Sequence, residues 1–361
     1  MSNYIDEFRN TETALKMVSN LKAYRGKPIS IMEVCGTHTM SVFRYGIRDL
    51  LPEAIKLVSG PGCPVCVTPA SFVDAAVSVA QTEGVIITTF GDLIKVPGSA
   101  SSLAREKSEG ADIRIVYSPL DSLEIAVENP QKKVVFLSIG FETTAPVAAL
   151  TLLKAYENNI DNFCMLQANK TMPEALKLLA ADSTASIDGY LYPGHVSTII
   201  GTGIYEDIAL EYKIPGVVAG FEPLDIMHAI LTLAGIIKKG EARVVNEYSR
   251  VVRKEGNPLA LYKMNEAFEP CDSSWRGLGE IPHSGLRIRD KYERFDAWKV
   301  FGLTFGTGKE PVGCLCGEVL KGRVTPEECG LYGTKCTPDN PAGACMVSSE
   351  GTCAAYYRYK G

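Results

Sequence analysis

The chain has 361 residues, 46% of them apolar and 22% charged, which supplies ample core and predicts two or three globular domains. Its net charge of −5 gives no electrostatic reason to expect nucleic acid or an anionic membrane as partner. No run of about 20 apolar residues is present to span a membrane, and residues 1–10 are polar rather than signal-like, so a cytoplasmic protein is expected.

In chain order, residues 11–24 place apolar groups at helical spacing behind a candidate cap, Thr11, and 28–34 read as a buried strand. The pattern then repeats as strand, small-residue loop and helix. Strands are predicted over 55–58, 85–89, 113–117, 134–139, 163–166, 189–191 and 216–219, and helices over 71–80, 122–127, 145–157, 173–181 and 224–239. This alternation predicts an α/β protein with two Rossmann-like parallel-sheet units. The polar stretch 128–133 is the natural break, giving units over 40–130 and 131–240. After Gly240 the alternation fades into helical runs over 241–254 and 258–268, with an irregular stretch around Cys271 and Trp275.

Eleven cysteines, an odd number, argue for metal or thiol chemistry over a disulfide framework. The run Gly60-Pro61-Gly62-Cys63-Pro64-Val65-Cys66 sets two thiols three positions apart in a stiff loop at a strand end. Such a pair is a redox couple or part of a metal site, and cysteines that merely pack would not need this frame. Cys35, also at a strand end, is followed by Gly36, Thr37 and His38, so it is a candidate nucleophile or metal ligand with His38 as base or supporting donor. If the strands preceding Cys35 and Cys63 are neighbours in one parallel sheet, all three sulfurs face one crevice and could hold a soft metal ion.

Gly140-Phe141-Glu142 and Gly220-Phe221-Glu222 repeat a carboxylate in a strand-to-helix loop, which a helix N-terminus favours in any case. His195 likewise follows a strand, as a site residue or a helix cap; Asp92 is a candidate cap, and His228 and His283 receive no role. Near the C-terminus, Cys329, Cys336, Cys345 and Cys353 have six, eight and seven residues between neighbours, among glycines and prolines. Without a tight cysteine knuckle, this spacing favours a [4Fe–4S] cluster over zinc. Cys314 and Cys316 are ranked below these four, and Cys164 and Cys271 are assigned to packing.

Five motifs in order carry a family resemblance: Cys35-Gly36-Thr37-His38, the Gly60–Cys66 loop, Gly140-Phe141-Glu142-Thr143-Thr144, Pro193-Gly194-His195-Val196-Ser197 and the cysteine tail ending at Cys353. Over nearly its whole length the chain resembles the HypD family of [NiFe]-hydrogenase maturation proteins. The resemblance implies a scaffold that assembles Fe(CN)2CO, with iron and carbon monoxide bound there, rather than a conventional turnover enzyme. Cys35 would bind the iron, sharing it with a cysteine of a HypC-type chaperone. Cys63 and Cys66 would form a nearby dithiol that binds iron or switches to a disulfide, and a HypE-type protein would donate cyanide. The four tail cysteines would hold the [4Fe–4S] cluster. The family fold implies a third domain from residues 1–39 and 241–361, with the cluster segment over 313–361. The rival reading is a [4Fe–4S]-dependent thiol–disulfide reductase acting on a partner protein, which accounts for Cys63 and Cys66 but not for Cys35 and His38. A blander one is a zinc-stapled α/β binding protein.

Overall fold

A computed structural model describes residues 6–306 and 308–360. Eleven strands occur in them: β1 (Ile29–Glu33), β2 (Ile55–Ser59), β3 (Val85–Thr89), β4 (Asp112–Ile115), β5 (Lys133–Ser138), β6 (Phe163–Gln167), β7 (Gly189–Pro193), β8 (Gly216–Ala219), β9 (Val244–Asn246), β10 (Phe268–Trp275) and β11 (Gly279–Ile288). The first nine form two parallel sheets, in the orders β2-β1-β7-β8-β9 and β4-β3-β5-β6. The α/β class expected from the alternation is therefore present. Strands β3, β6 and β7 are buried at every position, as a parallel sheet covered by helices on both faces requires.

The sheets do not divide at 128–133. That polar stretch is the exposed turn between helix Asp121–Glu128 and β5, and the strands on either side of it share one sheet. A polar connection marks exposure, and exposure is common to inner turns and to linkers. The chain builds β1 and β2, makes the whole four-stranded sheet, and returns to pair β7 beside β1. Thus β1 and β9, placed by the sequence reading in a separate third unit, are the second strand and the far edge of the five-stranded sheet.

Side chains of β1, β7 and β8 alternate between two cores. Ile31, Leu191 and Val217 join Leu21 and Ile230 on one face, whereas Met32, Tyr190 and Val218 join Cys63, Cys66 and Cys345 on the other. The first helix, Thr11–Lys22, is capped by Asn10, whose side chain accepts from the Thr13 amide at 2.9 Å, so the cap lies one residue before Thr11. The helix expected over 241–254 is absent: β9 and turns occupy it, because β9 completes the five-stranded sheet. The irregular stretch at Cys271 is half of the antiparallel hairpin β10–β11. This hairpin joins distant parts of the chain. The Arg276 amide donates to Val67 O at 2.8 Å, and Thr171 N and Leu286 N form backbone bonds linking 169–171 to the hairpin. None of the helices among the described residues is long and apolar enough to cross a membrane.

Candidate functional site

In the five-stranded sheet the strand order reverses between β1 and β7, and the crevice beyond the carboxyl ends of such a pair is where open α/β sheets bind ligands. Cys35 follows β1, and His195 stands at the start of helix Gly194–Ile200, directly after β7. Cys35 Sγ lies 3.8 Å from His195 Nε2 and 4.0 Å from Nδ1. Burial, and then the charge of Glu350, pushes the Cys35 thiol up to about 12. Burial lowers His195 to about 4. The resting pair is therefore a neutral thiol beside a neutral imidazole.

β2 is the parallel neighbour of β1, so the loop carrying Cys63 and Cys66 emerges beside Cys35, as the crevice argument requires. Gly62 makes the approach possible: a Cβ there would lie 2.3 Å from Cys35 Cα and 2.4 Å from Cys35 N. Gly62 O also accepts from Gly36 N at 3.2 Å. Cys63 and Cys66 form a disulfide. Iron ligation by these sulfurs would first need its reduction, since the thiolate is the ligand.

His38, the imidazole nearest to Cys35 in sequence, turns elsewhere. Its Nε2 lies 2.9 Å from Gly220 O; a carbonyl only accepts, so Nε2 carries the proton and Nδ1 is a buried acceptor with no partner. Burial lowers His38 to about 4. Phe221 packs against both imidazoles, with ring centroids 4.7 Å from His38 and 5.0 Å from His195.

The Gly-Phe-Glu echo divides in two. Glu222 stands at the N-cap position of helix Pro223–Lys239, where its side chain pairs with Arg9 rather than with the helix amides. Glu142 is 2% exposed at the end of the other sheet, and burial raises its carboxyl to about 7. Its Oε1 accepts from Met172 N at 2.9 Å, while Oε2 has no partner. The Tyr205 phenol is fully buried nearby, and burial pushes it well above its ordinary value. Asp92 does not act as a simple cap; it accepts from the Ser348 and Ser349 hydroxyls at 3.3 and 3.2 Å.

Several contributors were not singled out from sequence. Glu350 accepts from Thr37 Oγ1 at 2.6 Å, and a Cβ on Gly36 would meet Glu350 O at 2.4 Å, so the tail closes over the Cys35 loop. Glu33, fully buried in β1, pairs with Arg48 at 2.9 Å and accepts from Thr39 Oγ1 at 2.6 Å. The only advance signal for Glu33 is a carboxylate inside an apolar run.

Cys314, Cys316, Cys329, Cys336, Cys345 and Cys353 all line one pocket, together with apolar Leu331 and Met346 and no carboxylate. Among the described residues, no three His, Cys, Asp or Glu side chains are placed to share a single metal ion. Within the six, Cys316 and Cys345 are in sulfur–sulfur contact at 2.7 Å. Cys345, expected beside Cys329, Cys336 and Cys353, lines the pocket with them and is engaged by both Cys353 and Cys316. Its helix, Ala344–Val347, packs on helix Pro64–Val67 of the disulfide loop. Cys164 is fully buried in β6, as packing predicts, and Cys271 lies in β10. His228 is helical, with Nδ1 3.1 Å from Glu247 Oε2, and His283 lies on β11.

The comparison with known proteins agrees with the motifs. A model of the HypD family, described as "Hydrogenase formation hypA family", matches residues 11–360. The chain is similar to the hydrogenase maturation factor HypD of Cupriavidus necator, with 46% identity over 99% of this chain and 97% of the relative. It is 44% identical to that of Rhodobacter capsulatus over 99% of this chain and 98% of the relative. For the factor of Escherichia coli the identity is 43%, again over 99% and 98%. The chain belongs to the HypD family of hydrogenase maturation factors.

Proposed function

We propose that this maturation factor is the scaffold on which an iron ion receives two cyanides and one carbon monoxide before passing to a hydrogenase subunit. The observation that carries the reading is the meeting of Cys35, His195 and the Cys63–Cys66 loop at one strand-order reversal. Iron is the cargo, and Cys35 is its proposed ligand, with a second sulfur supplied by a HypC-type chaperone and cyanide by a HypE-type donor. A thiol held near 12 must lose its proton when metal binds, and the neutral His195 imidazole at 3.8 Å is the adjacent acceptor. Reduction of the Cys63–Cys66 disulfide takes two electrons and two protons and frees two thiols beside that position. Phe221, packed against both His38 and His195, positions His195, and Glu142, whose carboxyl burial raises to about 7 so that about half of it holds a proton at neutral pH, is a candidate proton donor.

The cysteine pocket fits a [4Fe–4S] cluster in donor chemistry, since six thiols and no carboxylate line it. The family resemblance supports Cys329, Cys336, Cys345 and Cys353 as the four ligands, with Cys314 and Cys316 lining the same pocket. When bound, the cluster supplies single electrons. The alternative, a thiol reductase for a partner protein, draws on the oxidised Cys63–Cys66 pair.

Infrared spectroscopy on protein purified without oxygen after co-production with its maturation partners tests the reading. Cyanide and carbonyl stretches present in the wild type and absent from Cys35→Ala are expected. Their absence from the wild type, with cluster absorbance retained, would favour the reductase.

A further inference from the structure

A second crevice lies at the carboxyl end of the four-stranded sheet, away from the Cys35 site and the tail cysteines and lined in part by Cys271. It has a volume of about 310 Å³, within the range of small-molecule sites, which begin at about 300 Å³. Gln167, the last residue of edge strand β6, lines it. Alternation puts the Gln167 side chain on the same face of β6 as Phe163 and Met165, the face packed against Leu286 and Ile288 of β11. Leu286 and Ile288 line the same crevice, so the amide points toward it.

Gln167 is 5% exposed, and neither its Oε1 nor its Nε2 has a partner. A buried carboxamide with both ends unpaired is costly, because water has been lost and nothing replaces it. Folding alone gives no reason for glutamine here; an apolar side chain of that size would suit the neighbouring leucine and isoleucine better. The backbone around it is firmly set. Trp298 Nε1 donates to Gln167 O at 2.9 Å, and Trp298 stacks on Phe305 with centroids 4.1 Å apart, giving the crevice an aromatic wall.

Asp272, Glu280 and Asp296 line the crevice as well. Its one guanidinium, Arg287, is engaged by Glu269 and lies 3.8 Å from Asp290. The surroundings therefore repel phosphates and carboxylates and admit an uncharged ligand.

We propose that this crevice binds an uncharged planar nitrogen heterocycle bearing a lactam edge, an N–H beside a C=O. The Gln167 carboxamide pairs with that edge, donor to acceptor and acceptor to donor, and the Trp298–Phe305 stack covers one ring face. One side chain then satisfies two ligand groups, which is how a carboxamide reads a base edge in nucleic acids, and stacking on an aromatic supplies sequence-tolerant attraction.

The test is isothermal titration of the full-length protein with hypoxanthine, with purine (the same ring without the carbonyl) and with inosine monophosphate. Hypoxanthine is expected to bind, and purine and the phosphorylated compound each on the order of tenfold more weakly. Gln167→Leu should weaken hypoxanthine about tenfold and leave purine unchanged, while its melting temperature equals or exceeds that of the wild type, since an orphaned amide has been removed. Phe305→Ala, at a residue 54% exposed, should weaken both ring compounds without lowering the melting temperature. No binding of hypoxanthine at millimolar concentration, equal binding of purine, or tighter binding of the phosphorylated compound would overturn the proposal. So would a Gln167→Leu protein that is destabilised or binds as the wild type does. None of these readouts involves iron, so failure here is distinct from failure of the scaffold reading.

Discussion

Glu142 offers a quantitative test of the second strand-end group. Its carboxyl is raised from 4.5 to about 7, chiefly by burial. The folded state therefore holds the proton more tightly than the unfolded chain does. The stabilising contribution is complete below the unfolded value and is lost as pH rises through about 7. Integrating the two titrations gives a loss of about 2.5 kcal/mol between about pH 5 and about pH 8. Glu142→Gln keeps the oxygen that accepts from Met172 N and removes the titration. Its second amide atom inherits the unpartnered position, a cost that does not vary with pH. The measurable quantity is thus the change with pH in the stability difference between variant and wild type. Urea unfolding followed by tryptophan emission suits the question, because Trp275 stacks on Phe141, the residue before Glu142, at 5.8 Å. The difference should move in favour of Gln by about 2.5 kcal/mol across that interval. A difference flat to within about 0.5 kcal/mol would refute a buried, proton-holding Glu142.

Three further outcomes are expected. Gly62→Ala sets a methyl against the Cys35 backbone at 2.3 Å and strains the Gly36–Gly62 hydrogen bond, so a loss of about 2–4 kcal/mol is expected in thermal or urea unfolding. The same variant should shift the Cys63–Cys66 redox midpoint measured by thiol labelling; unchanged values in both assays would show that the loops are not in contact. Arg48→Met leaves the fully buried Glu33 without its cation and should lower stability by about 3 kcal/mol, read from urea midpoints. Cys345→Ser should lower iron content and cluster absorbance after anaerobic purification while Cys314→Ser retains them; the reverse pattern would replace Cys345 by Cys314 as a ligand.

What could be read from the sequence follows from the range of each signal. Strands β3 and β8 were bounded to the residue because parallel, doubly covered strands are continuous apolar runs between glycines and turns. That Cys35 and the Cys63 loop share a crevice was also legible, since consecutive strands joined by a helix usually pair side by side. The pairing of β1 with β7 was not, because nothing local in either strand names a partner so far along the chain. For that reason His38, near in sequence, was favoured over His195, near in space. The β10–β11 hairpin was hidden by Pro270, Asp272 and two serines, residues that suggest a loop when read without the tertiary contacts that straighten them. That Cys314 and Cys316 share the pocket of the other four was not legible, because spacing alone does not bring the two segments together.

The return of the chain to β1 has a consequence for the order of events during synthesis. Cys35 and His195 are 160 residues apart, and the entire four-stranded sheet is made between them. On a ribosome the thiol emerges long before the imidazole that faces it, and closing so long a loop is among the later and slower steps of folding. Early in translation Cys35 is an ordinary exposed cysteine. It acquires its neighbour, its burial and the covering tail carboxylate of Glu350 only when both sheets and the C-terminal segment are in place. The topology therefore acts as a timing device: the crevice, with thiol and imidazole face to face, comes into being only on the finished protein.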